Sequence, residues 1–254
     1  MRKQFLFTMV LTIGAVGLCS AATIPYSTDF STDPGWVTDQ PSNYYWDAGS
    51  QSYHIRAENL APGYKPSRYS YKLLDEGVSS FELQWDVDVV SCDWSAGLPF
   101  GIYDNQLGDW YGVSDFVEVH PVVADGGRFW AMTLAAGGEY RETSSHYDWS
   151  FNKAYTCKMV YDSDLLNVSV QIKTEDQQLI WASNLSVPGT GFNNDLKYLG
   201  SSRNGVGDYG YIGFSSSTVS EGYIDNVYLT PEPATVLLIG LGGLAVMRKR
   251  RLVN

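Results

Sequence analysis

Phe81-Glu82-Leu83-Gln84-Trp85-Asp86-Val87-Asp88-Val89 alternates without a break, apolar at every odd position and polar at every even one. A period of two belongs to an extended strand, so this stretch predicts a half-buried β-strand with one packed face and one wet face. The same pattern repeats outward in both directions. Short runs at 52–56, 69–74, 99–103, 115–120, 129–134, 154–161, 166–174, 180–184, 210–215 and 222–229 are separated by Gly, Asn, Asp, Ser and Pro, the spacing of strands joined by turns. Around Tyr161-Asp162-Ser163-Asp164 the alternation of Tyr155, Cys157, Met159 and Tyr161 passes to Leu166, Val168, Val170 and Ile172. Asp and Ser supply turn chemistry there, which predicts a hairpin. So many strands without long helical periodicity predict an all-β, antiparallel sandwich or barrel.

Of 254 residues, 44% are apolar and 14% aromatic, which excludes wholesale disorder and allows one large β domain once the two ends are set aside,. The formal charge is −11. Setting aside Arg2, Lys3, Arg248, Lys249, Arg250, Arg251 and Glu232 leaves 11 basic against 27 acidic residues, about −16,. No Lys/Arg stripe exists to displace counterions from phosphates, so a nucleic-acid partner is excluded. Acidic surfaces of this kind suit divalent cations or neutral ligands. Between the two ends Cys92 and Cys157 form an even pair and are a candidate disulfide, while Cys157 also reads as a small buried strand residue,.

Both ends carry export signals. Met1-Arg2-Lys3, an apolar stretch from Phe5 to Leu18 and the small residues Ser20-Ala21-Ala22 are the parts of a secretory signal peptide,. Cleavage by signal peptidase is expected after Ala22, giving domains 1–22 (signal peptide helix), 23–230 (β-sandwich) and 231–254 (tail). Leucine before Cys19 argues against lipid attachment. The tail reads Pro231-Glu232-Pro233, an apolar run from Val236 to Met247, then Arg248-Lys249-Arg250-Arg251. The prolines end the preceding strand, the apolar run predicts a transmembrane helix, and the basic cluster acts as a stop-transfer anchor on the cytoplasmic side. At roughly 1.5 Å per residue the run is shorter than a roughly 30 Å hydrocarbon core, so snorkelling and local thinning must make up the difference.

In its ordered three parts, this tail resembles the PEP-CTERM sorting domain found on exported proteins of Gram-negative bacteria that make extracellular matrix. The resemblance implies processing by an exosortase near Pro231-Glu232-Pro233. It also implies transient anchoring in the inner membrane, then delivery to the cell surface or matrix. The strand count, the hairpin and the closing Gly222-Tyr223-Ile224-Asp225-Asn226-Val227-Tyr228-Leu229 look like a concanavalin A-like lectin/glucanase (LamG-like) jelly roll. That likeness implies two curved antiparallel sheets and a concave face that often binds polysaccharide.

Glucanases of that superfamily carry Glu-x-Asp-x-x-Glu on one strand so that one carboxylate attacks and another protonates, and this chain has no such run. Asp86 with Asp88 reads as an exposed polar face, and Glu118 with His120 as an exposed edge pair, although the latter two share a face and have acid/base chemistry. His54, His120 and His146 have no nucleophile-elbow context around any serine. No catalytic residue is therefore assigned, and the chain is expected not to be an enzyme. The alternative is a secreted glycoside hydrolase or lyase with carboxylates from separate strands, such as Glu118 and Asp88. Trp94, Trp110 and Tyr111 are the candidate sugar-stacking residues, with Trp36, Tyr44, Tyr45 and Trp46 in similar loop-like stretches,. Asp104, Asn105 and Asp109 offer oxygen ligands, so calcium is the one candidate cofactor,. The sequons at Asn167 and Asn184 are incidental in a bacterial protein.

Overall fold

The structure is a computed structural model that describes residues 23–59, 68–92, 98–104, 115–124, 127–146, 149–192, 195–203 and 218–231. Among the described residues there are fifteen strands and no helix. They run β1 (Tyr26–Thr28), β2 (Val37–Thr38), β3 (Tyr44–Asp47), β4 (Ser52–Asn59), β5 (Arg68–Val78), β6 (Phe81–Cys92), β7 (Phe100–Tyr103) and β8 (Phe116–Ala124). The second half holds β9 (Gly127–Ala136), β10 (Glu139–His146), β11 (Ala154–Asp162), β12 (Asn167–Thr174), β13 (Leu179–Ser186), β14 (Leu196–Arg203) and β15 (Thr218–Pro231). The expected strand at 210–215, the signal peptide with Ala22, and the tail from Glu232 through Pro233 to Arg248, Lys249, Arg250 and Arg251 lie outside the described residues.

The strands form two antiparallel sheets. One is eight-stranded in the order β13-β12-β11-β6-β15-β4-β3, with β1 also paired to β15, and the other is seven-stranded in the order β10-β9-β8-β7-β14-β5-β2. The alternation that opened the sequence is realised in β6, where Phe81, Leu83, Trp85, Val87 and Val89 are buried and the residues between them are half-buried. Trp85 reaches across the sandwich to Phe100 of β7, ring centroids 5.1 Å apart, and Trp130 of β9 meets Tyr155 of β11 at 5.6 Å. Large rings from both sheets thus interdigitate, as facing sheets about 10 Å apart require. The hairpin forms as expected: Tyr161 pairs with Val168 and Asp162 with Asn167, and the Asp162 carboxylate accepts from the amides of Asp164 and Leu165, both at 2.9 Å.

Cys92 and Cys157 are not a disulfide. Both are buried thiols outside any disulfide, and the register explains why. Cys157 pairs with Trp85 of β6, while Cys92 lies seven residues farther along that strand, about 23 Å at the usual rise and far beyond the reach of an S–S bond,. Burial, reinforced by Asp86 nearby, holds the Cys157 thiol well above its usual range. Native protein is therefore expected to resist alkylation at Cys157 until it unfolds, and its Tm to be the same with and without a reductant. A drop in Tm on adding dithiothreitol, or a mass shift on alkylating native protein that maps to Cys157, would contradict this.

Candidate functional site

In the seven-stranded sheet, one set of alternate residues joins the core and the other lines the outward face. Val117 and Val119 of β8, Met132 and Leu134 of β9 and Ile102 of β7 belong to the core. The outward positions follow from the register. One row across the sheet runs Glu142–Thr133–Glu118–Gly101–Gly200–Tyr71, and its neighbour runs Tyr140–Ala135–Phe116–Tyr103–Tyr198–Leu73. Small residues at the centre keep the floor low, and tyrosines stand to one side. Tyr69 and Tyr71 of β5 are 5.5 Å apart by ring centroids, and Tyr71 meets Tyr198 of β14 edge-on at 5.0 Å. All three are half-buried. Tyr198 in turn packs against a small buried cluster of Tyr103, Phe116 and Ala135, so an aromatic strip runs from β5 toward β8.

At the centre sits a buried carboxylate. Glu118 is 0% exposed and His120 is 3% exposed. The expectation of an exposed edge pair is corrected: β8 is an inner strand between β7 and β9, and its outward side chains are as deeply covered as its core-facing ones. The Tyr103 hydroxyl donates to Glu118 Oε2 at 2.7 Å and the Thr133 hydroxyl donates to Oε1 at 3.2 Å. His120 Nδ1 lies 3.5 Å from the same Oε1. A buried carboxylate is tolerable only when its oxygens are satisfied, and two hydroxyl donors with an imidazole alongside provide that. Tyrosine, histidine and glutamate are also acid/base groups within mutual reach.

The opposite outer face, on the eight-stranded sheet, has a different character. His54 is held by Asn43 O and by Glu221, whose carboxylate lies 2.8 Å from His54 Nε2 and 3.5 Å from Arg56, and Tyr45 stacks on its ring. A shallow polar depression nearby is lined by residues such as Gln84, Lys158, Gln171 and Lys173. Asp86 accepts from Thr156 at 2.7 Å and from Asn226 at 2.9 Å, which ties β6 to β11 and β15. Because Asp88 shares this outer face while Glu118 lies on the far side of the other sheet, the two carboxylates suggested as a catalytic pair cannot meet one substrate.

Burial raises the carboxyls of Asp88 and Asp225 above the ordinary aspartate value of 3.8. An acid raised on folding holds its proton more tightly in the folded state, so stability is greatest below 3.8 and declines as pH climbs through the raised value,. Asp88 Oδ1 has no hydrogen-bond partner among the described residues. Asp88→Asn is therefore expected to raise the Tm near neutral pH and to leave it unchanged below 3.8, where the parent is already neutral. A variant that melts at or below the parent's Tm at neutral pH would count against this account.

The other sequence candidates scatter. Trp36 and Tyr44 are core residues, and Trp46 donates its indole N–H to Phe30 O at 2.8 Å. Trp94, Trp110, Tyr111, Asn105 and Asp109 lie outside the described residues, and the Asp104 amide donates to Asp115 O at 2.9 Å. Among the described residues no three His, Cys, Asp or Glu side chains cluster to hold a metal ion. The tyrosine strip was missed, because Tyr69 and Tyr71 alternate with Ser70 and Lys72 and no sequence rule assigns the tyrosines to the outer face.

Three comparisons place these observations. The model of the PEP-CTERM protein-sorting motif matches residues 229–251. No curated protein matches the sequence. Among solved structures, the chain is similar to basic winged bean lectin with Tn-antigen, at 11% identity over 82% of this chain and 98% of that one, TM-score 0.53. It is also similar to the PL-14 alginate lyase from Aplysia kurodai, at 11% identity over 84% and 98%, TM-score 0.51. A third is the Lotus tetragonolobus seed lectin, at 11% identity over 83% and 100%, TM-score 0.51. At such identity the likeness concerns the fold. The chain thus has the two-sheet β-sandwich fold of these lectins and this lyase and carries, at residues 229–251, a PEP-CTERM protein-sorting motif, which indicates an exported protein processed by an exosortase.

Proposed function

We propose that the sandwich is a non-catalytic module that holds a polysaccharide on the outward face of its seven-stranded sheet, in the cell envelope or extracellular matrix to which the tail delivers it. The reading includes removal of the leader by signal peptidase and transient anchoring of the tail in the inner membrane. The observation that carries it is the strip of Tyr69, Tyr71 and Tyr198, half-buried rings at 5.0 to 5.5 Å beside a floor of small residues. Aromatic faces stack on the C–H faces of sugar rings, and the phenol hydroxyls bond to sugar hydroxyls. Glu118 supports holding without cutting, since it has no exposure and both of its oxygens are engaged. Tyr71→Ala and Tyr198→Ala are each expected to weaken retention on the bound polysaccharide about fivefold to tenfold, the loss of about 1–1.4 kcal/mol. Retention unchanged by both, with folding intact by circular dichroism, would overturn the reading.

The second reading, a glycoside hydrolase or lyase, is favoured by the grouping of Glu118, His120 and Tyr103. It requires that reducing ends or unsaturated products be released from a polysaccharide and that Glu118→Gln stop their release. Retention without product defeats it.

A further inference from the structure

We propose that the polysaccharide held by the tyrosine strip is neutral, and not a polyuronate or sulfated glycan; this rests on the glycan-holding reading above. The argument is one of charge. Between the two ends the chain has 11 basic residues, and the described outward positions of the seven-stranded sheet carry none of them. Five of the described cations have partners away from the strip. Lys158 meets Glu82 at 2.8 Å and Arg56 lies beside Glu221, both on the opposite sheet. Arg128 donates to Trp149 O and stacks over Phe151, its guanidinium carbon 4.3 Å from the ring centroid. Lys72 donates to Pro34 O at 3.1 Å, and Arg141 lies 3.4 Å from Glu139.

The charged groups that do occupy the face are carboxylates, Glu118 at the centre and Glu142 on β10. His120, on this face, is already beside Glu118.

An anionic chain laid along this strip would meet like charge and no counter-charge. Two like charges about 6 Å apart at a protein surface repel enough to cost about a hundredfold in affinity for each uronate so placed. A neutral sugar has no such charge. Its hydroxyls donate to the Glu142 carboxylate and exchange hydrogen bonds with the tyrosine hydroxyls, and its C–H faces stack on the rings.

The test is affinity electrophoresis of the protein, expressed as the full chain and purified in mild detergent. The gels contain neutral polysaccharides (a β-glucan, a xylan, a galactomannan, a dextran), alginate or a sulfated galactan, each at low and high salt. The expected result is retardation by at least one neutral polymer, unaffected by salt and reduced about fivefold or more by Tyr71→Ala, with free migration through alginate and the sulfated galactan. Retardation by either anionic polymer that salt abolishes would overturn the neutral-ligand inference while leaving the glycan-holding surface standing. Free migration through every polymer would overturn the glycan-holding reading itself.

Discussion

Gly101→Ala is expected to lower the Tm by about 10 °C or more, the loss of several kcal/mol in a sandwich of this size. Gly101 occupies β7 between β8 and β14, two strands drawn close to it in the centre of the seven-stranded sheet. A methyl group there would collide with the carbonyl oxygen of Val117 and lie 2.6 Å from Glu118 Cα and 2.9 Å from Glu118 Cβ. None of these is the end of a flexible side chain, so relief requires β7 and β8 to part and give up ladder hydrogen bonds. The same displacement would pull Tyr103 away from Glu118 and leave a buried carboxylate short of a donor,. Gly35 provides the contrast. Its φ of +64° would strain an alanine, but nothing lies within 4 Å of the added carbon, so Gly35→Ala is expected to cost only about 1 kcal/mol,. Thermal unfolding of both variants checks the comparison. Equal, small shifts would mean that the close approach of β7 to β8 is absent.

The difference between what the sequence revealed and what it concealed follows from how many faces of a strand are covered. In β6 one face is buried and the other half-open, so the alternation from Phe81 to Val89 is a faithful record of the fold. In β8 both faces are buried, and Phe116, Val117, Glu118, Val119 and His120 have no contrast to read. A glutamate and a histidine in that run looked like surface residues, because polarity was the available guide and their partners Tyr103 and Thr133 come from other strands. In β5 the guide inverts. Ser70 faces the core, 0% exposed and hydrogen-bonded to the Tyr53 hydroxyl at 2.6 Å, while the larger Tyr69 and Tyr71 face outward. Five strands escaped notice, β1, β2, β3, β10 and β14, and Tyr44, Tyr45 and Trp46, read as loop residues, form β3. The edge strand β10, Glu139–His146, has no apolar alternation, and β14, Leu196–Arg203, is interrupted by Gly200, Ser201 and Ser202. The paired cysteines show the limit from another side. An even count in an exported chain favours a disulfide, but the register between β6 and β11 decides the matter, and register is set by the whole sheet.

A chain that stops after Pro231 is expected to fold with the parental Tm, and one that stops after Asn226 to show no cooperative unfolding at all. The contrast arises because the sorting motif and the sandwich share residues. The motif begins at Leu229, and β15 continues to Pro231. Val227 and Leu229 are fully buried, Leu229 opposite both Leu83 of β6 and Tyr26 of β1. Removing two such side chains costs about 2–5 kcal/mol each, and the whole β1 pairing, Tyr26 to Leu229 through Thr28 to Val227, goes with them,. That sum is comparable with the net stability of a domain. Stopping after Pro231 leaves every one of these contacts in place and removes the rest of the motif. The protein should then be folded yet unprocessed, found in the soluble exported fraction rather than with the envelope. Far-ultraviolet circular dichroism with heating reads the first difference, and cell fractionation with intact-mass measurement reads the second. If the chain ended at Asn226 melted like the parent, the last strand would not be integral to the eight-stranded sheet. If the chain ended at Pro231 were still processed and retained, the tail beyond β15 would not be what directs it.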